Sequence, residues 1–179
     1  MRYFAAAVFA GVILVSITAQ GQNIQDAVIA KSFVLVDSTG NARAVLGLND
    51  SEPRLDFFNS DGKNSLGVGL RATGPSIEFF GSDGILLLQI NSTPDRSAIF
   101  ISDRQGNPRI ALSTVADNPI IALSDKDQRR RLNLVLDDQT AGLGLVDTNE
   151  NLRGAMVLLP SGPFIGLFDR DFFPLFTAP

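Results

Sequence analysis

The sequence predicts an all-β fold assembled from seven 22-residue repeats, the last truncated, each made of two short strands and two turns. Three observations carry that prediction. An element headed by FVLVD recurs every 22 residues without one insertion or deletion. Its apolar residues keep a spacing of two, the period of a strand, and no stretch after the amino-terminal segment keeps a helical rhythm. Asp, Asn, Ser, Gly and Pro recur between the strands at fixed offsets, where turns need them. A period of this size marks each repeat as one supersecondary unit that leans on its neighbours.

With the Asp of FVLVDSTG as position zero, the series runs Asp37, Asn59, Gly81, Asp103, Asp125, Asp147 and Asp169. The first strand of each unit precedes it, as in FVLV, rich in the β-branched and aromatic residues that strands favour. Two residues before zero stand Leu35, Phe57, Phe79, Ile101, Leu123, Leu145 and Leu167, which are expected to form one buried stripe. The turn follows: the Asp carboxylate accepts an amide two residues on, and Gly40, Gly62, Gly84 and Gly106 take a positive φ at little cost. Gln128, Glu150 and Phe172 hold the Gly position in the last three units. The second strand comes next, its apolar positions exemplified by Ala44, Leu46 and Leu48 or Leu132, Leu134 and Leu136. A second turn closes the unit, with Pro53, Pro75, Pro94, Pro119 or Pro163 close to the next strand, where a missing amide does little harm.

Six units are complete, over 33–163, and 164–179 is a truncated seventh unit and cap. Residues 20–32 read as a lead-in or amino-terminal cap. Two arrangements accommodate the repeat. In a β-solenoid, or a similar stacked repeat, equivalent strands lie in register one above another. In the alternative, consecutive hairpins form an antiparallel meander or barrel. The constant period favours the coil, whose perimeter changes only at a cost, although D-x-x-G between short strands is equally a hairpin signal.

Composition narrows function by exclusion. The chain has 179 residues, 45 % of them hydrophobic, and a formal net charge of -4. Acidic residues outnumber basic ones, so no nucleic-acid footprint is expected, and the run Arg129-Arg130-Arg131 reads as an exposed turn and strand start. Cys, His and Trp are absent and the single Tyr is Tyr3, which removes cysteine nucleophiles, histidine bases, serine–histidine triads and thiolate metal sites. Residues 1–19 carry Arg2 and then an uncharged apolar run ending Ile17-Thr18-Ala19; this reads as a secretory signal peptide, with a short retained anchor as the alternative. No helical membrane span is expected in the mature chain, and its setting is expected to be secreted, periplasmic or cell-envelope.

The Asp row invites a chemical reading. In a solenoid, Asp103, Asp125, Asp147 and Asp169 would stack at roughly 4.8 Å per layer, a spacing that suits a cation or a pair of glycosidase carboxylates. The turn reading of Asp37 and its equivalents is the bland counterpart. Arg43, Arg109, Arg131 and Arg153, six residues after zero, are expected to keep solvated heads and pair with the Asp row between layers. Gly67 and Gly69, or Gly142 and Gly144, lie inside strands and read as sites of close packing rather than a phosphate cradle.

The segment FVLVDSTGNARAVLGL resembles the repeat of a loose set of largely uncharacterised exported or envelope-associated bacterial proteins, with units of the form F-V-L-x-D-x-x-G-x-x-R-A-x-L. The match is closest over 33–46 and 101–112 and runs in looser form along nearly all of the mature chain. Ser65, Leu87 and Leu175 depart from it at the Arg position. The resemblance implies a repeat fold and an exported setting, and it carries over no catalytic residue.

The resulting expectation is an exported structural or interaction module that presents a rigid β surface to another copy or to an envelope or extracellular partner. Its alternative is a polysaccharide binder or carbohydrate-active enzyme using stacked Asp carboxylates. No catalytic, cofactor-binding or metal-ligating residue is nominated, and no cofactor is expected. Doubled aromatics such as Phe57-Phe58 and Phe79-Phe80 cannot both point inward from one strand. Phe58, Phe80, Phe168, Phe172, Phe173 and Phe176 are therefore the candidate interface residues.

Overall fold

Alternation and turn chemistry act locally, and the computed structural model, which describes residues 28–179, shows what they build. Fourteen strands run in chain order: β1 (Phe33–Val36), β2 (Ala42–Asn49), β3 (Glu52–Phe58), β4 (Asn64–Arg71), β5 (Gly74–Phe80), β6 (Leu86–Thr93), β7 (Arg96–Ser102), β8 (Pro108–Val115), β9 (Asn118–Ser124), β10 (Arg130–Leu136), β11 (Ala141–Val146), β12 (Leu152–Leu159), β13 (Gly162–Phe168) and β14 (Pro174–Ala178). There is no helix among the described residues. The sheet belongs to the unit Lys31–Pro179. The expected signal peptide at 1–19 and most of the lead-in at 20–32 lie outside the described residues.

All fourteen strands form one open sheet in the order β1 to β14, each pairing antiparallel with its chain neighbours. The all-β class and the two-strand repeat hold throughout. Of the two arrangements, the chain takes the meander: no strand pairs with its equivalent 22 residues away, so there is no solenoid coil among the described residues. A fixed period arises here because every repeat reuses one hairpin and one junction register. The residue seven after zero always faces the residue two before the next zero, as in Ala44↔Phe57, Leu66↔Phe79, Leu88↔Ile101 and Ile110↔Leu123. One insertion would move every later side chain to the wrong face.

The two edges of the sheet carry different turns. On one edge lie the D-x-x-G hairpins. Asp37 donates its amide to the Asn41 carbonyl at 2.9 Å and Gly40 donates to the Asp37 carbonyl at 3.0 Å, a three-residue loop closed by a left-handed residue. Gly40, Gly62, Gly84 and Gly106 supply that residue with φ of 87°, 75°, 86° and 84°. Gln128, Glu150 and Phe172 adopt it at 63°, 66° and 65° without the help of glycine. On the other edge Asp50-Ser51 and Ala116-Asp117 form two-residue turns with both φ positive, the type I′ geometry that matches strand twist. Pro53 and Pro119 follow such turns, and Pro75 follows the Ala72-Thr73 turn, where Gly74 carries the positive φ of 133°. The ladder to the next strand begins one residue later, at Arg54, Ser76 and Ile120, so the absent amides break no pairing.

Every D-x-x-G hairpin also carries a register shift just before the turn, as at Leu35/Val36 and Ile101/Ser102. Leu35 faces Ala44 while Val36 faces Ala42, which leaves Arg43 as the extra, bulged residue. Arg109, Arg131 and Arg153 occupy the same place. The bulge re-aims a side chain at the turn edge.

The expected buried stripe is exposed instead. Leu35 is 64 % exposed, and Phe57, Phe79, Ile101, Leu123, Leu145 and Leu167 are exposed by 37 % to 50 %. The reason is architectural. A coil or sandwich covers its apolar face with a second layer, and a single-layer meander has none.

Candidate functional site: an interaction surface

The turn edge is built from the zero position outward. One Asp37 carboxylate oxygen accepts the amides of Thr39 at 2.9 Å and Asn41 at 3.0 Å. Asp103, Asp125, Asp147 and Asp169 repeat this grip on the amides two and four residues on. Asn59 does so with its neutral oxygen, to Asp61 at 3.0 Å and Lys63 at 2.9 Å. Gly81 has no side chain to offer, and Asp83 accepts the Ile85 amide at 3.0 Å in its place.

The bulged arginines complete the edge. Arg43 pairs with Asp37 at 3.0 Å, Arg131 with Asp125 at 3.3 Å and Arg153 with Asp147 at 3.4 Å, and Arg109 pairs with Asp103. These pairs lie within one repeat, not between layers as expected. Three of the four then reach the following repeat. Arg43 donates to the Asn59 carbonyl, Arg131 to Val146 at 2.6 Å and Arg153 to Phe168 at 2.9 Å. Arg129 donates to the Thr148 carbonyl at 3.0 Å and pairs with Asp125 and Asp127, so of the Arg129-Arg130-Arg131 run only Arg130 lacks an acidic partner among the described residues.

Electrostatics follow from these contacts. The Thr39 hydroxyl and the Asn41 amide hold the Asp37 carboxyl well below the ordinary aspartate range. Burial pushes the Asp125 carboxyl up, but hydrogen bonds from Arg129, from its amide and from that of Asp127 bring it down to about 2. Asp147 is lowered first by the Asn151 amide. The carboxylates are thus spent on turns. In the meander, zero positions of successive repeats are separated by an intervening strand, roughly 9–10 Å across two ladder steps, against about 5 Å for a retaining glycosidase pair. The stacked-carboxylate geometry behind the carbohydrate reading does not form. No group of three His, Cys, Asp or Glu side chains comes together among the described residues.

A second polar cluster lies on the face opposite the Leu35 series. Glu78 is 0 % exposed, and Arg71 grips it with two hydrogen bonds of 2.6 Å while Arg54 adds one of 2.7 Å. Arg54 also donates to Asp56 at 2.7 Å. Burial pushes the Glu78 carboxyl up, and the two guanidinium groups more than offset it, leaving it below the ordinary range. The cluster holds two positive and two negative groups and so carries no net charge. Gly67 and Gly69 make room for it: a Cβ on Gly67 would lie 1.9 Å from Arg54 Nη2. Sequence reasoning found the close packing but missed the cluster. Its signal was the charges of R-x-D in β3 and of Glu78 in β5 flanking G-x-G in β4.

The largest feature is the Leu35 face. It presents apolar side chains along every strand, including Leu48, Phe57, Val68, Ile77, Ile90, Ile99, Leu112, Ile121, Leu134, Met156, Leu158 and Ile165, each at least 36 % exposed. The face holds two shallow, open depressions. Val68, Ile77, Ile90, Ile99, Leu112 and Ile121 line a trough of 970 Å³. Leu134, Leu143, Met156, Leu158 and Ile165 line another of 650 Å³. Of the candidate interface residues, Phe176, which faces Leu167, lies on this face, and most of the others fall elsewhere. Phe58 and Phe80 are half-buried on the opposite face. Phe168 is buried, its ring 4.5 Å from Phe172 and 6.3 Å from Phe164, so it packs within the sheet's end instead of presenting a free surface. Phe172, Phe173 and Phe176 are exposed at 59 %, 66 % and 53 %.

No family model matches the chain, and no curated protein matches its sequence.

Proposed function

We propose that this chain is a structural interaction module that self-associates through the apolar face of its sheet, in an exported or envelope setting. The observation that carries the reading is the uncovered Leu35 face. Monomers rarely expose contiguous apolar patches beyond about 300–600 Å². Fourteen strands of four to eight residues, spaced at about 4.8 Å and rising about 3.3 Å per residue, give a footprint on the order of 1,000 Å². Two such faces together exceed the roughly 1,600 Å² of a standard stable interface. A second copy fits because the face repeats every two strands, so one trough meets the same side-chain spacing on its partner.

The test is sedimentation of the purified chain and of an Ile77→Thr, Ile99→Thr, Ile121→Thr variant. Threonine keeps the β-branched shape and removes apolar area. Each of these side chains, once buried, supplies roughly 1.5–3 kcal/mol. The expected result is an oligomer whose mass the triple variant lowers while circular dichroism stays β-rich. A monomer at high micromolar concentration overturns the reading.

A further inference from the structure

Among the described residues the sheet has two outer edges, β1 and β14, and they match. We propose that β14 of one molecule pairs antiparallel with β1 of the next, so that the meander continues from copy to copy. This goes beyond association through the apolar face: it uses the sheet's ends and stands or falls separately.

Strand polarity permits it. Each strand is antiparallel to its neighbours, and β14 is an even strand whose next member in the series is an odd one. A second copy placed in the same orientation supplies β1 with the polarity that β14 requires. Register permits it as well. All six junctions between repeats pair the residue seven after zero with the residue two before the next zero. Applied from Asp169 to Asp37, that rule pairs Phe176 with Leu35 of the next copy, Thr177 with Val34 and Ala178 with Phe33. Phe176 and Leu35 then lie on the face that carries Ala44 and Phe57, so the apolar face runs on without a break.

The backbone is set for it. Asp37 donates inward to Asn41, and strand alternation turns the Phe33 and Leu35 amides the same way. The N–H and C=O of Val34 therefore point outward. By the same alternation Thr177 points outward from β14, because its counterpart Val45 pairs with Asp56 of the next repeat. Among the described residues neither outer edge has a partner. β1 also lacks the usual guards against edge pairing: Phe33–Val36 contains no charge and no proline. Its side chains stand exposed, as does Phe176.

A cysteine-free chain makes the register directly testable. Leu35→Cys with Phe176→Cys places two thiols opposite each other across the proposed junction, and mild oxidation should give a ladder of covalent trimers and higher species, beyond the dimer at which a face-to-face pair stops, that reductant collapses. Leu35→Cys with Thr177→Cys puts the thiols on opposite faces and should give none. Val34→Pro, which removes an outward amide and leaves the β1–β2 bonds in place, should abolish the ladder of the first pair. The Ile77, Ile99 and Ile121 threonine variant should retain it. No ladder, an equal ladder from the control pair, or only an internally cross-linked monomer overturns the inference. A chain that sediments as an oligomer yet yields no ladder overturns it alone and leaves the face-to-face reading standing.

Discussion

At the residue scale the repeat is a device for making one tight turn seven times, and its tolerance differs by position. The left-handed residue is glycine in the first four units, and Gly40 has no atom within 4 Å of where a Cβ would stand. Gly40→Ala thus isolates backbone strain from crowding and should cost about 1 kcal/mol in denaturant unfolding. Glu150 holds the same conformation at φ 66° with an exposed side chain. Glu150→Gly should be stabilising by about 0.5–1 kcal/mol, the relief of strain being partly offset by the greater freedom of glycine in the unfolded chain. Equal and opposite signs at two equivalent positions would tie the effect to the backbone; two changes of the same sign would not.

At the scale of the element, the hairpin with its bulge is the working part. The bulge turns an arginine toward its own Asp, and in three of four cases on to a carbonyl of the next repeat, so each hairpin is latched to its successor at the turn edge. On the other face, β3, β4 and β5 are joined by the Arg54–Glu78–Arg71 cluster. Gly67→Ala drives a methyl into the Arg54 guanidinium and should cost about 3–5 kcal/mol, the scale of breaking a buried ion pair by disturbing one partner. Glu78→Gln should fall in the same range, and the double variant should cost much less than the sum because both act on one network. The comparison is read from unfolding midpoints; strict additivity would show that Gly67 is not serving the cluster. These elements were unequally legible in the sequence. Strands, turns and period were readable because alternation and D-x-x-G act within a few residues. Coil and meander share those local signals, so pairing between sequential strands was visible only in the sheet. The arginine bulge is a register shift and leaves no residue-type signature beyond the Arg itself. Arg54 and Glu78 are 24 residues apart, outside a single repeat, and a search by equivalent positions passes over them. The Leu35 series was correctly seen as one apolar row, but its burial was inferred from a second layer that the fold does not have.

At the scale of the whole molecule, the acid-sensitive groups are spread along the sheet, from Asp37 through Glu78, Asp103 and Asp125 to Asp147, and all are lowered in the folded state. A carboxylate whose folded pKa lies below its unfolded value binds fewer protons in the folded state. Its contribution is therefore complete above the unfolded value, near 3.8 for Asp and 4.5 for Glu78, and drains away as pH falls through the folded one, about 2 for Asp125. The urea midpoint should be nearly flat from pH 7 to about 5, the upper limit of such carboxylate titration, and should fall steeply below it. Repulsion among the 15 Lys and Arg, no longer balanced by acidic groups, steepens the loss. The repeat supplies its own control. Asn59 already caps its turn with a neutral oxygen, so Asp125→Asn should keep the turn, lose some stability at neutral pH with the Arg129 and Arg131 pairs, and fall less steeply in acid than the parent. Parallel acid limbs for the two proteins would mean that the turn carboxylates are not what acid dismantles.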